Sequence, residues 1–183
     1  MTSRKVLSTP LSDEVMAGLK AGEMVYLSGP VYTARDAAHK RLAEMIERGE
    51  KMPFDFKGQV VFYAGPCPAK PGQVIGSVGP TTGGRMDAYS PVLIEHGLKA
   101  MIGKGLRDEK VKRAIMAHGG VYFAAIGGAA ALMSQCVKAA EMVAFEDLGT
   151  EAIRRLMVAE MPVVVAIDSA GRDVYDRDDV PAS

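Results

Sequence analysis

The segment Met24-Val25-Tyr26-Leu27-Ser28-Gly29-Pro30-Val31-Tyr32-Thr33-Ala34-Arg35-Asp36 decides the fold class of this chain. Its first residues form an apolar, strand-like run, which ends in a Ser-Gly-Pro sequence typical of turns, and a helical pattern follows. We therefore predict a strand near Met24 to Leu27 and a helix from about Ala34 to Arg48. A strand followed by a helix is the unit from which α/β folds are built.

The start of this helix carries an unusual charge. Thr33 is the expected N-cap, and Asp36 lies three residues on, in the capping-box position. Arg35 then falls in the first turn, where a cation has the wrong sign for the helix dipole unless an anion lies over the helix end. The alternative is that Arg35 extends into water or pairs with Asp36.

The alternation of strands and helices continues along the chain. Further strands are predicted at about 5–7, 60–63, 100–102, 121–125, 141–145 and 162–167, and further helices at about 13–19, 86–96, 108–118, 128–137 and 150–158. Ser169 to Gly171 are expected to form a hairpin turn. We expect one α/β domain over residues 1–183, with a mixed, largely parallel sheet and a frayed tail at 177–183.

A loop rich in Pro and Gly, from about Gly65 to Gly84, interrupts this alternation. It is long enough for a functional role to be its best explanation. It leads into Gly79-Pro80-Thr81-Thr82-Gly83-Gly84-Arg85-Met86-Asp87. Glycines allow close approach to a ligand, threonines offer neutral hydrogen bonds, and Arg85 can bind a carboxylate through two hydrogen bonds. The composition indicates an anion site, and the alternative is a glycine-rich turn with a surface arginine.

Lysine and histidine complete the set of candidate polar residues. Lys104 lies between two glycines at the end of an apolar run, at the expected carboxyl edge of a strand, where α/β sheets bind ligands. His39 lies one turn after Arg35, where we expect a helix-surface or capping-region histidine rather than a catalytic one. His96 and His118 precede glycines at predicted helix C-termini, where we expect structural roles.

The composition excludes several classes of function. Lys plus Arg equals Asp plus Glu at 22 each, so no net charge favours nucleic acid or an anionic membrane. The apolar runs are too short to span a bilayer. No apolar signal-peptide core follows Met1, so we expect a cytoplasmic protein.

Two cysteines, Cys67 and Cys136, bear on metal binding. They do not form a disulfide framework, and they are fewer than the thiolates that usually hold an iron–sulfur cluster. We therefore expect this chain to bind no metal of its own. Both cysteines are interpreted as small buried apolar side chains.

Six separated motifs, in a fixed order, resemble the β-subunit or C-terminal domain of the iron–sulfur-dependent class I fumarases and related L-tartrate dehydratases. The motifs lie at 27–30, 33–39, 63–66, 79–87, 103–105 and 127–132. The resemblance extends from about residue 5 to residue 176, and Cys67 departs from it where threonine is expected. It implies the swivelling β/β/α domain, which is more specific than the periodicity predicts.

The resemblance also implies a shared active site. In that family an α-subunit, or an N-terminal domain, holds a [4Fe–4S] cluster whose open iron acts as a Lewis acid on the substrate. This chain would supply the opposite wall, with Arg35 and Arg85 binding the carboxylates of a four-carbon dicarboxylate and Lys104 adding a third positive contact. Thr81 would be the catalytic residue, near the carbon that gains or loses a proton.

Three functions follow from these expectations. The first is reversible hydration of fumarate to L-malate by an α₂β₂ assembly of this β-subunit with its α-subunit. The second is L-tartrate dehydration, which needs the same carboxylate contacts and which the sequence does not separate from the first. The third is a non-catalytic module that binds dicarboxylates or serves assembly, and the presence of Arg35, Thr81, Arg85 and Lys104 argues against it.

Overall fold

A computed structural model describes residues 3–126 and 130–176 of the chain. The strands are β1 Val6–Ser8, β2 Met24–Thr33, β3 Val60–Phe62, β4 Ala100–Gly103, β5 Val121–Ala125, β6 Val137–Ala144 and β7 Ile153–Ile167. The helices are α1 Asp13–Ala17, α2 Asp36–Glu47, α3 Ser90–Glu95, α4 Glu109–His118 and α5 Ala130–Gln135, with 3₁₀ helices at Gly83–Met86 and Glu146–Glu151. The predicted frayed tail and the predicted helix start at Gly128 lie outside the described residues.

The seven strands form one mixed sheet in the order β1-β2-β3-β4-β5-β7-β6. Neighbouring pairs from β1 through β5 are parallel, whereas β7 runs antiparallel to β5, β6 and β2. Because β7 pairs with both β5 and β2, the strands β2, β3, β4, β5 and β7 form a closed ring. The prediction of an α/β fold with a mixed sheet is confirmed, and the parallel part is confined to β1 through β5.

Strand β7 is the largest departure from the sequence prediction. Residues 150–158 were expected to form a capped helix, but β7 begins at Ile153 and continues for 15 residues to Ile167. The apolar residues Ile153, Leu156 and Met157 fit helical spacing as well as a strand. Pairing with β2 on one side and β6 on the other selects the strand, because it satisfies the backbone on both sides.

Strand β2 also extends beyond its predicted end. It continues through the Ser-Gly-Pro sequence to Thr33, and its register with β7 shifts between Leu27 and Gly29. Gly29 has a φ of 119°, and a Cβ there would lie 2.4 Å from the Thr9 hydroxyl oxygen. This glycine therefore lets the strand irregularity pass close to Thr9 rather than forming a turn.

The predicted capping box at the start of α2 is wrong. Thr33 is the last residue of β2, and its hydroxyl accepts the backbone N–H of Arg154 at 3.2 Å. Arg35 is the N-cap residue, without a side-chain cap bond, and Asp36 is the first helical residue. The longer strand therefore moves the helix start two residues beyond the prediction.

Alternate side chains of the central strands lie in two apolar clusters. One contains Val60, Phe62, Ile102 and Phe123 together with residues of α1 and α5, and the other contains Val61, Tyr63, Met101 and Tyr122 together with residues of α2, α3 and α4. This alternation is what strand geometry requires of a sheet covered on both faces. Among the described residues, no helix is long and apolar enough to cross a membrane.

Candidate functional site

The parallel strands β2, β3 and β4 end at one edge of the sheet. Thr33 is paired with Phe62, and Phe62 is paired with Ile102, so the three strands are in step at their ends. The residues that follow them therefore emerge side by side, where open α/β sheets bind ligands. The name carboxyl edge is used below for residues 33–36, 63–65, 81–87 and 103–105.

Arg35 and Arg85 are brought together at the carboxyl edge. Arg85 lies in the 3₁₀ helix Gly83–Met86, and its Nη2 donates a hydrogen bond to Oδ2 of Asp36, the residue after Arg35. The side chain of Arg85 is 52% exposed. An ion pair between Arg35 and Asp36 was one alternative from the sequence. In the structure, Asp36 pairs with Arg85 instead.

Arg35 lies against the segment that follows β3. A Cβ at Gly65 would lie 2.9 Å from both Cδ and Nη1 of Arg35, so only glycine leaves room for this side chain. The Nε–H of Arg35 is buried and has no hydrogen-bond partner among the described residues. A buried donor on a charged group is costly to leave unpaired, so this nitrogen indicates a missing acceptor.

Thr81 and Lys104 are joined through their backbones. The N–H of Thr81 donates to the Tyr63 carbonyl at 2.6 Å, and the N–H of Lys104 donates to the Thr81 carbonyl at 3.3 Å. Thr82 and Lys104 form a parallel bridge, and Gly83 N–H donates to the Lys104 carbonyl at 2.7 Å. The loop before Arg85 is thus fixed to the end of β4, with Thr81 buried and the Lys104 side chain exposed.

A buried arginine that the sequence analysis missed lies beneath this edge. The side chain of Arg107 is fully buried, and it donates from Nε to Asp87 at 2.7 Å and from Nη2 to the Ser90 hydroxyl at 2.8 Å. Its Cζ lies 5.2 Å from the ring centroid of Tyr63 and 4.7 Å from that of Tyr122. The name buried network is used below for Tyr63, Asp87, Ser90, Arg107 and Tyr122.

The electrostatics of the buried network keep its arginine charged. Burial opposes the charge on Arg107, but Tyr63 and Asp87 outweigh it and raise the pKa of the guanidinium. Burial also raises the pKa of the Tyr122 hydroxyl, which stays protonated and donates to the Gly105 carbonyl at 3.1 Å. The only sequence signal for Arg107 is its place shortly after the Gly-Lys-Gly motif, which does not distinguish it from a surface arginine.

His39 is buried, contrary to the helix-surface position predicted for it. Its ring is 1% exposed and packs edge-on against Tyr63, with centroids 5.1 Å apart. Burial lowers the pKa of His39 from 6.5 to about 4, so the ring is neutral near pH 7. Its Nδ1 lies 2.8 Å from the Arg35 carbonyl oxygen, and a proton on Nδ1 makes this a hydrogen bond that holds the backbone of Arg35.

The other two histidines lie where the sequence placed them. His96 follows the last residue of α3, and His118 is the last residue of α4, directly before Gly119 with a φ of 69°. The Nδ1 of His96 lies 2.8 Å from the Val92 carbonyl oxygen, which is the same contact that His39 makes, but on an exposed side chain. Their prediction as residues of helix C-termini is confirmed.

The cysteines differ from each other in exposure. Cys67 is exposed, so its interpretation as a buried residue is wrong, whereas Cys136 is partly buried and burial raises the pKa of its thiol. Cys67 follows Pro66 into the surface loop, away from either apolar cluster. Over residues 3–126 and 130–176, no group of three or more His, Cys, Asp or Glu side chains could hold a metal ion. The described residues therefore do not fit an iron–sulfur cluster.

Comparison with known proteins identifies relatives. The model of the family described as Fumarase C-terminus matches residues 2–178. The anaerobic class I fumarate hydratase of Escherichia coli K12 is 40% identical over 153 residues, which are 82% of this chain and 28% of that protein. Fumarate hydratase 2 of Leishmania major is 38% identical over 158 residues, 85% of this chain and 28% of that protein.

A relative of similar length is the putative L(+)-tartrate dehydratase subunit beta of Methanocaldococcus jannaschii. It is 40% identical over 165 residues, which are 87% of this chain and 85% of that protein. By contrast, the chain spans only 28% of the fumarate hydratases named above.

Proposed function

This chain belongs to the fumarase C-terminus family, and from this premise we propose that it is the β-subunit of a hydro-lyase that hydrates fumarate reversibly to L-malate. Its fold would then be the swivelling β/β/α domain, formed as one domain over residues 1–183. The match to a separate β-subunit over 85% of that protein supports a separate α-subunit here. We place the complete enzyme in the cytoplasm as an α₂β₂ assembly.

The iron–sulfur cluster would be held by the α-subunit. In the described part of this chain, no group of three or more His, Cys, Asp or Glu side chains could hold a metal ion, which supports a site in the partner. When bound in the partner, the cluster supplies a Lewis acid for the substrate's hydroxyl and carboxylate. The residues of this chain bind and orient the dicarboxylate from the opposite side.

The observation that carries the proposal is the buried Nε–H of Arg35, which has no hydrogen-bond partner within residues 3–126 and 130–176. Leaving such a donor unpaired costs about 1–3 kcal/mol, and more on a charged group. A substrate carboxylate would remove this cost. Arg85 lies beside it on Asp36 and is half exposed, so it can meet a second carboxylate. The two guanidinium groups therefore suit a four-carbon dicarboxylate better than a single anion.

Lys104 and Thr81 complete the proposed site. Lys104 follows β4 at the same edge, and its exposed ammonium group supplies a third positive contact. Loss or gain of a proton beside a carboxylate places negative charge on that carboxylate, and fixed cations stabilise this charge. Thr81 is assigned to the carbon that exchanges the proton. A threonine hydroxyl is a weak base, so its alkoxide depends on the same neighbouring cations.

L-Tartrate dehydration is the second candidate. The observation that favours it is the match to a putative L(+)-tartrate dehydratase subunit beta over most of both chains. Fumarate and tartrate both present two carboxylates on four carbons, so both would use the two arginines in the same way. The hydroxylated substrates differ in that tartrate carries one more hydroxyl group than L-malate.

The proposal is tested by producing this chain together with its cluster-bearing α-subunit under anaerobic conditions. The purified complex is expected to hydrate fumarate, whereas the chain alone is expected to be inactive. Fumarate hydration and L-tartrate dehydration are measured on the same preparation. Activity on tartrate alone would select the second candidate, and a complex with a full complement of cluster but no activity on either substrate would overturn the proposal.

A further inference from the structure

We propose that Arg107 is a positioning residue that holds Thr81, Arg85 and Lys104 in their relative places without touching the substrate. The inference rests on the proposed function of those three residues. Arg107 is fully buried beneath the carboxyl edge, and its three guanidinium nitrogens all have protein partners. It therefore acts through the segments that it contacts.

The first of these segments carries Arg85. Asp87 ends the 3₁₀ helix that contains Arg85, and it accepts a hydrogen bond from Nε of Arg107 at 2.7 Å. Ser90 accepts from Nη2 of Arg107 at 2.8 Å and donates to the Met86 carbonyl at 3.0 Å. The two residues directly after Arg85 are thus fixed, one directly and one through a serine, by a single guanidinium.

The second contact is made by backbone that rests on the buried network. A Cβ at Gly83 would lie 2.8 Å from Cδ of Arg107 and 2.5 Å from the Tyr122 hydroxyl oxygen. A Cβ at Gly103 would lie 2.8 Å from Cδ2 of Tyr63. Both glycines bring their backbone close to the methylene stem of Arg107 or to the tyrosine side chains around its guanidinium. The buried network therefore determines how closely the segments that contain Gly83 and Gly103 approach the sheet.

The third contact passes through the two tyrosines. The Tyr122 hydroxyl donates to the Gly105 carbonyl, next to Lys104, and the Tyr63 carbonyl accepts the N–H of Thr81. The Cζ of Arg107 lies over both rings, 5.2 Å from the Tyr63 centroid and 4.7 Å from the Tyr122 centroid. A shift of the guanidinium would therefore be transmitted to both Thr81 and Lys104.

Only arginine fits this role. Its planar group offers donors in several fixed directions, and here they reach Asp87, Ser90 and, at 3.7 Å, the sulfur of Met101. Lysine carries its charge at one point on a flexible stem and cannot reproduce these directions. Arg107→Lys keeps the positive charge but removes the directed hydrogen bonds of the guanidinium. The variant therefore distinguishes the effect of the charge from the effect of the hydrogen-bond geometry.

The test compares Arg107→Lys with a matched control in the α–β complex. The control is Arg172→Lys, because Nε of Arg172 also donates to a buried carboxylate, Asp168, at 2.7 Å. Asp168 follows the end of β7, which pairs with the start of β5, so this pair lies at the opposite edge of the sheet. Both substitutions replace an arginine whose Nε donates to a carboxylate, but Arg172 is 53% exposed and lies away from the proposed site, whereas Arg107 is fully buried beneath it.

We expect Arg107→Lys to lower kcat/KM for fumarate at least tenfold, with a rise in KM as well as a fall in kcat. We also expect faster amide hydrogen exchange in residues 79–87 and 103–106 together. Arg172→Lys is expected to leave KM, kcat and exchange in both segments unchanged. A purely structural role would lower the melting temperature of both variants without changing the KM of the folded enzyme.

Equal kinetics and equal exchange in the two variants would overturn the proposal. If Arg107→Lys does not fold, Tyr122→Phe replaces it, because it removes only the hydroxyl that donates to Gly105. Faster exchange at residues 103–106 with a smaller loss of kcat/KM would support the proposal, and wild-type values in both measurements would overturn it. An inactive wild-type complex would contradict the proposed function, while hydrogen exchange would still decide whether Arg107 positions the two segments.

Discussion

Arg85 lies at the carboxyl edge and Arg107 lies beneath it, yet the protein holds them in opposite ways. Arg85 is half exposed and forms one ion pair, with Asp36, whereas Arg107 is fully buried and bonded to Asp87 and Ser90. Exposed ion pairs contribute about 0–1 kcal/mol, so a ligand can replace Asp36. Removing one partner of a buried pair costs about 3–5 kcal/mol. A ligand can thus replace Asp36 in the exposed pair with Arg85, while the Arg107–Asp87 pair of the buried network stays in place.

The largest expected effect is on the stability that the buried Arg107–Asp87 pair provides. Arg107→Met removes the guanidinium and leaves the carboxylate of Asp87, 14% exposed, without its cation. We expect the free energy of unfolding to fall by about 3–5 kcal/mol, measured by urea denaturation. The control is Arg48→Met, which removes an exposed pair with Glu50 and should leave the free energy of unfolding close to that of the wild type. Similar losses in both variants would contradict the contrast drawn above.

The second prediction concerns the pH dependence of stability. Burial lowers the pKa of His39 to about 4 in the folded protein, while the unfolded chain binds its proton near 6.5. The unfolded state therefore binds more protons between these values. This contribution to stability is intact above pH 6.5 and is lost as the pH falls towards 4, by about 1.4 kcal/mol per pH unit and about 3 kcal/mol in all.

The pH prediction has a control in His96, which makes the same Nδ1 contact to a helix carbonyl but is exposed. His39→Gln should flatten the loss of unfolding free energy between pH 6.5 and 4, whereas His96→Gln should leave the slope unchanged. Unfolding free energies measured over this range decide between the two outcomes. A wild-type slope in the His39 variant would show that its burial does not govern protonation.

The third prediction tests Arg85, which forms the exposed pair with Asp36. Arg85→Lys keeps the charge but loses the two-pronged contact with a carboxylate. Loss of a hydrogen bond to a charged group costs about 1.5–3 kcal/mol, so kcat/KM for fumarate should fall about ten- to hundredfold. Thermal unfolding and assembly with the α-subunit should be unchanged. Arg48→Lys is the exposed control, and wild-type kinetics for Arg85→Lys would remove this residue from the proposed site.

The smallest expected effect distinguishes two adjacent glycines. A Cβ at Gly83 would lie 2.5 Å from the Tyr122 hydroxyl oxygen, whereas the nearest atom to a Cβ at Gly84 is 3.5 Å away. Gly83→Ala should therefore destabilise the protein by about 1–3 kcal/mol through overpacking, and Gly84→Ala should be close to neutral. Melting temperatures of the two variants provide the measurement. Equal values would show that the loop does not rest on the buried network.

Local structure agreed best with the sequence prediction. Helix α4, predicted at about 108–118, spans Glu109 to His118 and is capped by Asp108, which accepts the N–H of Val111, and β5 spans Val121 to Ala125 as predicted. Capping and strand alternation depend on residues only a few positions apart, so the sequence carries them directly. The predicted helix at 150–158 failed because its apolar spacing suits both structures, and pairing with β2 and β6, which are distant in the chain, selected the strand.

The sequence by itself determined which residues could form an anion site. The Gly79 to Asp87 stretch, the Gly-Lys-Gly motif and Arg35 follow separate elements, and the parallel strands bring them to one edge. Only the tertiary structure decided that Arg107 is buried and that His39 is neutral. Desolvation depends on atoms from several distant segments, and the order of residues along the chain does not specify how closely those segments pack.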